Sequence, residues 1–394
     1  MNPAMAPAST VDAQVCAWLA AVLRDGAGAE PPVAAGAAVA TAQPQPQPPE
    51  QVLAVASRHG VASLVHEHLR LHPDGSPLQA AFADAARRQA MRSLWLQAEA
   101  RRLLAALHAA GLRVLVLKGA ALAGWLYPAA HLRDCGDLDL LLASHADAQR
   151  AAAVLAQCGY PDGYQQGGHA YELLRKPAPG AAYRLELDLH WRLLNAPVFA
   201  EALDFETLWA GSIPIPALGP QARGLGAVHA LLHAAMNRVV NLYTDVGDLL
   251  KCLYDIHLLA ARLDVETWAP ALSLVRARGL CGVLLSSLDA AQSALGTAVP
   301  ASVRTALAAA APAERLDMAR LHDWSYMQWR SAGALPPGAR LRWLWGRLLP
   351  DAGFLRSTYG ADASLPRLWW RHVRRLLVRL SATRAPSSPP DEGA

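Results

Sequence analysis

The tightest constraint on this chain is a pair of short runs in which leucine alternates with charge. Asp137–Leu142 reads D-L-D-L-L-L and Tyr183–Trp191 reads Y-R-L-E-L-D-L-H-W. A period of two belongs to a β-strand, whose successive side chains point to opposite faces. Leu138 and Leu140 therefore turn toward a core while Asp137 and Asp139 sit together on the other face. In the second run Leu185, Leu187 and Leu189 share one face, and Glu186, Asp188 and His190 share the other. Two carboxylates at that spacing repel, and one takes up a proton unless the pair is neutralised. A divalent cation does this, and Mg²⁺ favours one or two carboxylates completed by phosphate oxygens and water. Two solvated aspartates at a strand end would also satisfy an isolated D-x-D. A third acid on a neighbouring strand tips the balance: Asp188 beside Asp137 and Asp139 makes a two-metal carboxylate triad.

The residues before the first run prepare it. Leu112–Leu117 (L-R-V-L-V-L) is short and apolar, as a buried strand is. It stops at Lys118-Gly119 and passes into Ala120–Tyr127, a short helical stretch closed by Pro128. This places a helix N-terminus, with a glycine that adds no Cβ, next to the acids. Lys118 adds a positive charge, and Arg133, four residues before Asp137, is a second cation for the site. A surface ion pair with Asp134 is the alternative for Arg133.

Strand, Lys-Gly turn, short helix, G-D-x-D followed by leucines, and a later strand with a third acid: this order resembles the polymerase-β-type nucleotidyltransferase superfamily. More closely, L-K-G-A-A-L…L-Y-P…R…G-D-L-D-L-L-L followed by L-D-L-H-W-R-L is similar to the bacterial "uncharacterised nucleotidyltransferase" family, over a pattern running from about Leu53 to Leu377. The resemblance implies an α+β fold, a small mixed β-sheet nucleotidyltransferase core with an N-terminal helical subdomain and a C-terminal helical domain. It implies transfer of a nucleoside monophosphate from a nucleoside triphosphate to an acceptor, with two Mg²⁺ ions. Asp137 and Asp139 resemble the acids that bind both ions, and Asp188 the third acid, because it stands two residues before His-Trp; Glu186 is the fallback. Lys118, Gly119 and Ala120 occupy the place of the superfamily's Gly-Ser or Gly-Gly turn, whose backbone N–H groups face phosphate oxygens, with Ala120 where a serine hydroxyl would be. His190 either orients a carboxylate, contacts substrate or is structural. The same catalytic site could instead move a γ-phosphate, or the fold could bind a nucleotide or partner without turnover. The acceptor stays open among small molecules, peptides, proteins and RNA.

Composition narrows the class without naming a ligand. The chain of 394 residues holds enough apolar residues for more than one core. A net charge of +4 is too weak to specify nucleic acid. Five scattered cysteines without a C-x-x-C argue against a zinc knuckle or disulfide frame and point to a reducing, cytoplasmic setting. Cys135, beside the acids, reads as a small buried filler rather than a nucleophile. No apolar run reaches the ~18 residues of a membrane span.

The remaining chain is largely helical in pattern. Residues 1–50 hold a helix at Val11–Arg24 and a Pro/Gln-rich tether; 51–110 form helices over Gln51–Leu71 and Pro77–Ala110, the second carrying Arg87, Arg88, Arg92, Arg101 and Arg102 as a solvated face. Residues 111–221 form the catalytic core, in which Ala146–Gln157 is a helix, Tyr160–Gly180 is loop-like apart from a strand start near His169, and Ile213–Ile215 is a short strand. From 222 to 380 helices dominate, with strong 3.6-residue periodicity over Gly226–Arg238 and Leu242–Ala261. His229, His233 and Asn237 fall at i, i+4 and i+8; the glutamate of H-E-x-x-H is missing, which argues against zinc. The family has a similar His- and Asp-containing helix pair here, and the resemblance implies that these residues, with Lys251 and Asp255, line the acceptor side of the cleft; a polar seam between packed helices is the alternative. Arg340–Leu349 and Leu365–Leu380 are rich in Trp and Arg. The preferred reading packs their Trp and Leu on the domain with Arg reaching water; weak association with anionic membranes through 340–380 is a side expectation. Residues 381–394 are a Pro/Ser-rich tail.

Overall fold

The protein is described from a computed structural model covering residues 10–26, 48–73, 77–160, 163–166, 170–177, 184–244, 246–360 and 363–382. Most of the expected Pro/Gln-rich tether, His169 and the tail beyond 382 lie outside the described residues. The fold is α+β, with a seven-stranded mixed sheet between helical N- and C-terminal regions.

The strands are β1 (Val114–Val116), β2 (Asp137–Leu142), β3 (Gly163–Gln166), β4 (Ala170–Pro177), β5 (Arg184–His190), β6 (Ser212–Pro214) and β7 (Arg223–Leu225). Their order is β3-β4-β5-β2-β1-β7-β6. The central β2 runs antiparallel to β1 and parallel to β5. One face of this centre is apolar throughout: Val114, Val116, Leu138, Leu140, Leu142, Leu185, Leu187 and Leu189 are all buried. It packs on the second half of a 33-residue helix, Pro77–Ala109, through Leu96, Ala100, Leu103, Leu104 and Leu107, and on the helix His145–Gln157 through Ala148, Ala151 and Leu155. Burying each of these leucines contributes about 1.5–3 kcal/mol. Ser144 caps the latter helix by accepting from the Asp147 N–H. On the opposite face Leu115, Leu117 and Leu141 join a second core shared with the N-terminal helices and with the helices after 226.

Three expectations are corrected. The stretch expected to be loop-like with one strand start near His169 holds two strands among its described residues: β3 and β4 pair antiparallel, and β4 continues the sheet from β5. Leu242–Ala261 is not one helix but a 3-10 turn at Leu242–Thr244 followed by a helix at Leu250–Ala261. The C-terminal tryptophans and leucines do not all pack inward. Trp343, Leu355 and Leu368 are buried, whereas Leu341, Leu344, Trp345, Leu348 and Trp370 are exposed.

Candidate active site

The register of β2 on β5 sets the site. Asp137 stands opposite Glu186, Asp139 opposite Asp188 and Leu141 opposite His190. Neighbouring strands lie about 4.8 Å apart, so the alternation read from each strand becomes a two-by-two array of carboxylates with an imidazole at its inner end. All five polar residues share the face turned away from the leucine core.

The outer end of the array, Asp137 and Glu186, opens into a cleft of about 510 Å³. Asp137 and Glu186 line its sheet side with Lys118 and Gly119. Across it stand His233, Asn237 and Asn241 from the helix Ala227–Asn241, and Lys251 and Asp255 from the helix Leu250–Ala261. Arg92 enters from the long N-terminal helix. A Cβ on Gly136 would lie 2.2 Å from Arg92 Nη2, so the glycine ahead of the first aspartate makes room for this guanidinium.

Asp139 is only 1% exposed. Its Oδ1 accepts from Lys118 Nζ at 2.6 Å and lies 3.0 Å from His190 Nε2. Burial opposes its ionisation, but the Lys118 charge and the His190 hydrogen bond outweigh it and hold the carboxyl below the usual carboxylate range. Asp137 behaves in the opposite way: burial, joined by the Asp139 charge, raises it, against the pull of Lys118 and Lys251. Burial works against the Lys118 charge, yet Asp139 and Asp137 together keep the ammonium above its ordinary value. Lys118 holds this position with φ 49°, a left-handed conformation costing a non-glycine residue about 1–3 kcal/mol. The backbone strain therefore falls on the residue that carries the cation to the acids.

The other expected residues divide. Gly119 lines the cleft, but a Cβ there would meet Cys135 Sγ at 2.9 Å; close packing on Cys135 already demands glycine. Ala120 is buried in the sheet core and is not among the residues lining the cleft. Cys135 is buried, its thiol pushed up by burial and by Asp137, in keeping with a filler. Arg133 does not form a surface pair with Asp134. It is buried and binds Asp255 through Nε (2.8 Å to Oδ1) and Nη2 (2.6 Å to Oδ2), while Tyr127 donates to the same Oδ1 at 2.7 Å. Arg133 and Asp255 thus answer each other's charge and tie the loop before β2 to the helix Leu250–Ala261. Lys251 stays at the cleft and acts on Asp137 through space.

Of the H-x-x-x-H pair, His233 faces the cleft; His229 packs against Gly211 instead. His233 is buried, and burial with the Lys118 charge beside it pushes the imidazole down to about 3, so it is neutral at physiological pH. Arg92 and Asn241 were missed from sequence. Arg92 is one of five arginines on its helix, and nothing in their spacing separates the one that faces the cleft.

The donor set fits a divalent cation. Among the described residues, one group of three or more His, Cys, Asp or Glu could share an ion: Asp139, Asp188 and His190, with ligand atoms within 4.8 Å of one another. His190 is 2% exposed and, among the described residues, its Nδ1 has no hydrogen-bond partner. Two carboxylates and an imidazole are hard-to-borderline donors suited to Mg²⁺, Mn²⁺ or a similar ion.

Comparison with curated proteins and with solved structures gives no match. The model of the family described as "Uncharacterised nucleotidyltransferase" matches residues 45–296. This stops short of Leu377, where the pattern read from sequence ended, but it covers more than half of the chain, including every strand and both helices across the cleft. The chain belongs to this nucleotidyltransferase family.

Proposed function

We propose that the cleft binds a nucleoside triphosphate and transfers its nucleoside monophosphate to an acceptor. The observation that carries this reading is the register placing Asp139 opposite Asp188, with Asp137 on the same face at the cleft. The acceptor oxygen forms a bond to the α-phosphorus, the bond from that phosphorus to the bridging oxygen breaks, and pyrophosphate leaves. Such a reaction asks the protein for placement and charge neutralisation rather than covalent chemistry.

Asp137, Asp139 and Asp188 would hold divalent ions, Mg²⁺ and two in number on this reading; when bound, they neutralise triphosphate charge and make the acceptor hydroxyl more acidic. His190, through its hydrogen bond, fixes the Asp139 carboxylate. Asp188 accepts the acceptor's proton. Lys118, Lys251 and Arg92 present positive charge to the phosphates, and N–H groups of the first turn after Lys118 do the same without charge. Arg133 and Asp255, paired with each other, shape the cleft wall. The neutral His233 with Asn237 and Asn241 offers uncharged hydrogen bonds on the acceptor side.

The experiment is incubation of the chain and Mg²⁺ with cell extract and ATP labelled at the α- or the γ-phosphate. Transfer of the α-label, reduced at least about a hundredfold in Asp139→Asn, is expected, since even residues behind a metal's ligands are worth 10–100-fold. Transfer of the γ-label would replace the reading with phosphoryl transfer. A second reading, nucleotide binding without turnover, is favoured by the Lys118–Asp139 bond and the serine-free turn; tight binding with no label transferred would select it.

A further inference from the structure

The helix Pro337–Leu348 turns its apolar stripe outward. Leu341, Leu344, Trp345 and Leu348 recur at i, i+3, i+4 and i+7, the spacing by which a globular protein buries a helix face. All four are exposed, Trp345 by 54%. The helix Leu365–Ala382 repeats the arrangement: Trp370, Arg374, Leu377 and Val378 share one face by the same rule, and Trp370 is 61% exposed. The outward pose is held by packing on the inner side. Trp369 Nε1 donates to the Leu348 carbonyl at 2.8 Å, His372 Nε2 donates to the Arg347 carbonyl at 2.7 Å, and Leu368 is fully buried.

Charge selects the partner. From Pro337 to Ala382 the chain has nine arginines and two aspartates. One of these, Asp351, caps the helix Ala352–Tyr359 by accepting from the Phe354 N–H. A face that combines leucine and tryptophan with guanidinium groups asks for a partner that is apolar inside and anionic at its rim. A second copy of the same face would set arginine against arginine, which disfavours pairing. A nucleic acid would answer the arginines and leave the leucine stripe in water.

We propose that this face docks on an anionic phospholipid bilayer. The Leu/Trp stripe lies at the boundary of headgroups and acyl chains, and the arginines bind lipid phosphates. This peripheral contact requires no spanning segment, and no helix among the described residues is long and apolar enough to cross a membrane. It stands apart from the proposed catalysis, because none of its residues lines the cleft.

The test is co-sedimentation of the full chain with vesicles of phosphatidylcholine alone or mixed with phosphatidylglycerol. Binding to the mixed vesicles alone is expected, weakened by salt. The double variant Leu344→Glu/Trp345→Glu, changed only at exposed positions, should bind at least roughly tenfold more weakly, and Arg374→Glu should weaken binding without removing an apolar group. Circular dichroism of each variant verifies that it folds. Failure to sediment with mixed vesicles, or equal binding by the variants, overturns the proposal. So does concentration-dependent self-association lost in the double variant, or salt-sensitive RNA binding that replaces vesicle binding.

Discussion

The two faces of β2 are made by the same six residues and live under opposite rules. On one, Leu138, Leu140 and Leu142 meet the long N-terminal helix and the helix after Ser144, and nothing there needs a partner beyond good packing. On the other, Asp137 and Asp139 are withdrawn from water to different depths, each against another carboxylate across the β2–β5 pair. The leucine face is stable by itself. The acidic face depends on borrowed partners: the charge of a strained Lys118, the hydrogen bond of a buried His190 and a through-space contribution from Lys251. The contrast teaches that the acids are tolerated rather than favoured by the fold, a common mark of a site selected for chemistry.

The sharpest way to break this contrast is within the acidic array. Asp188→Asn should cost at least about a hundredfold in nucleotide transfer, and Glu186→Gln less than about tenfold, because Asp188 and not Glu186 shares the ligand group with Asp139 and His190. The reverse order in initial-rate measurements would move the third acid to Glu186.

On the leucine face, Leu140→Ala should lower unfolding free energy by about 2–5 kcal/mol, because it leaves a cavity in a fully buried layer. Denaturant titration measures it. A loss well under 1 kcal/mol would mean the two faces are less different than their burial shows.

The smallest effect is the most particular to the comparison. Asp137 has a raised folded pKa, so its contribution to stability is present below its unfolded value of about 3.9 and is lost as pH rises through the folded value. Asp139 is lowered, so its contribution is present above about 3.9 and is lost as pH falls through the folded value. In chelator at neutral pH, Asp137→Asn should therefore raise the melting temperature and Asp139→Asn should lower it. Shifts of the same sign would contradict the assignment of charge within the pair.

The period-two runs made β2 and the polar face of β5 legible, since a one-residue slip would have put the leucines in the cleft and the acids in the core. Their mutual register was not legible, because it depends on two strands far apart in sequence. Lys118 was visible as a cation at a turn, but its left-handed backbone and its bond to Asp139 come from how β1 delivers the chain. Arg133 and Asp255 were both expected at the cleft; that they would discharge each other required knowing which helix the loop before β2 meets. The β3–β4 pair was concealed because glycine and glutamine fill β3, and a register shift between Leu173 and Lys176 breaks the alternation of β4. The C-terminal stripe had clear helical periodicity, yet periodicity names a face without saying whether the protein itself covers it.

On the proposed reading, the acidic face of β2 and β5 gathers divalent metal and triphosphate at one place. Anomalous diffraction from crystals of the full chain grown with Mn²⁺ and a non-hydrolysable nucleoside triphosphate tests it directly. Mn²⁺ peaks bounded by the carboxylates of Asp137, Asp139 and Asp188 are expected, with Lys118 released from Asp139 toward the phosphates. Mn²⁺ or triphosphate bound elsewhere, with the Lys118–Asp139 bond intact, would contradict it.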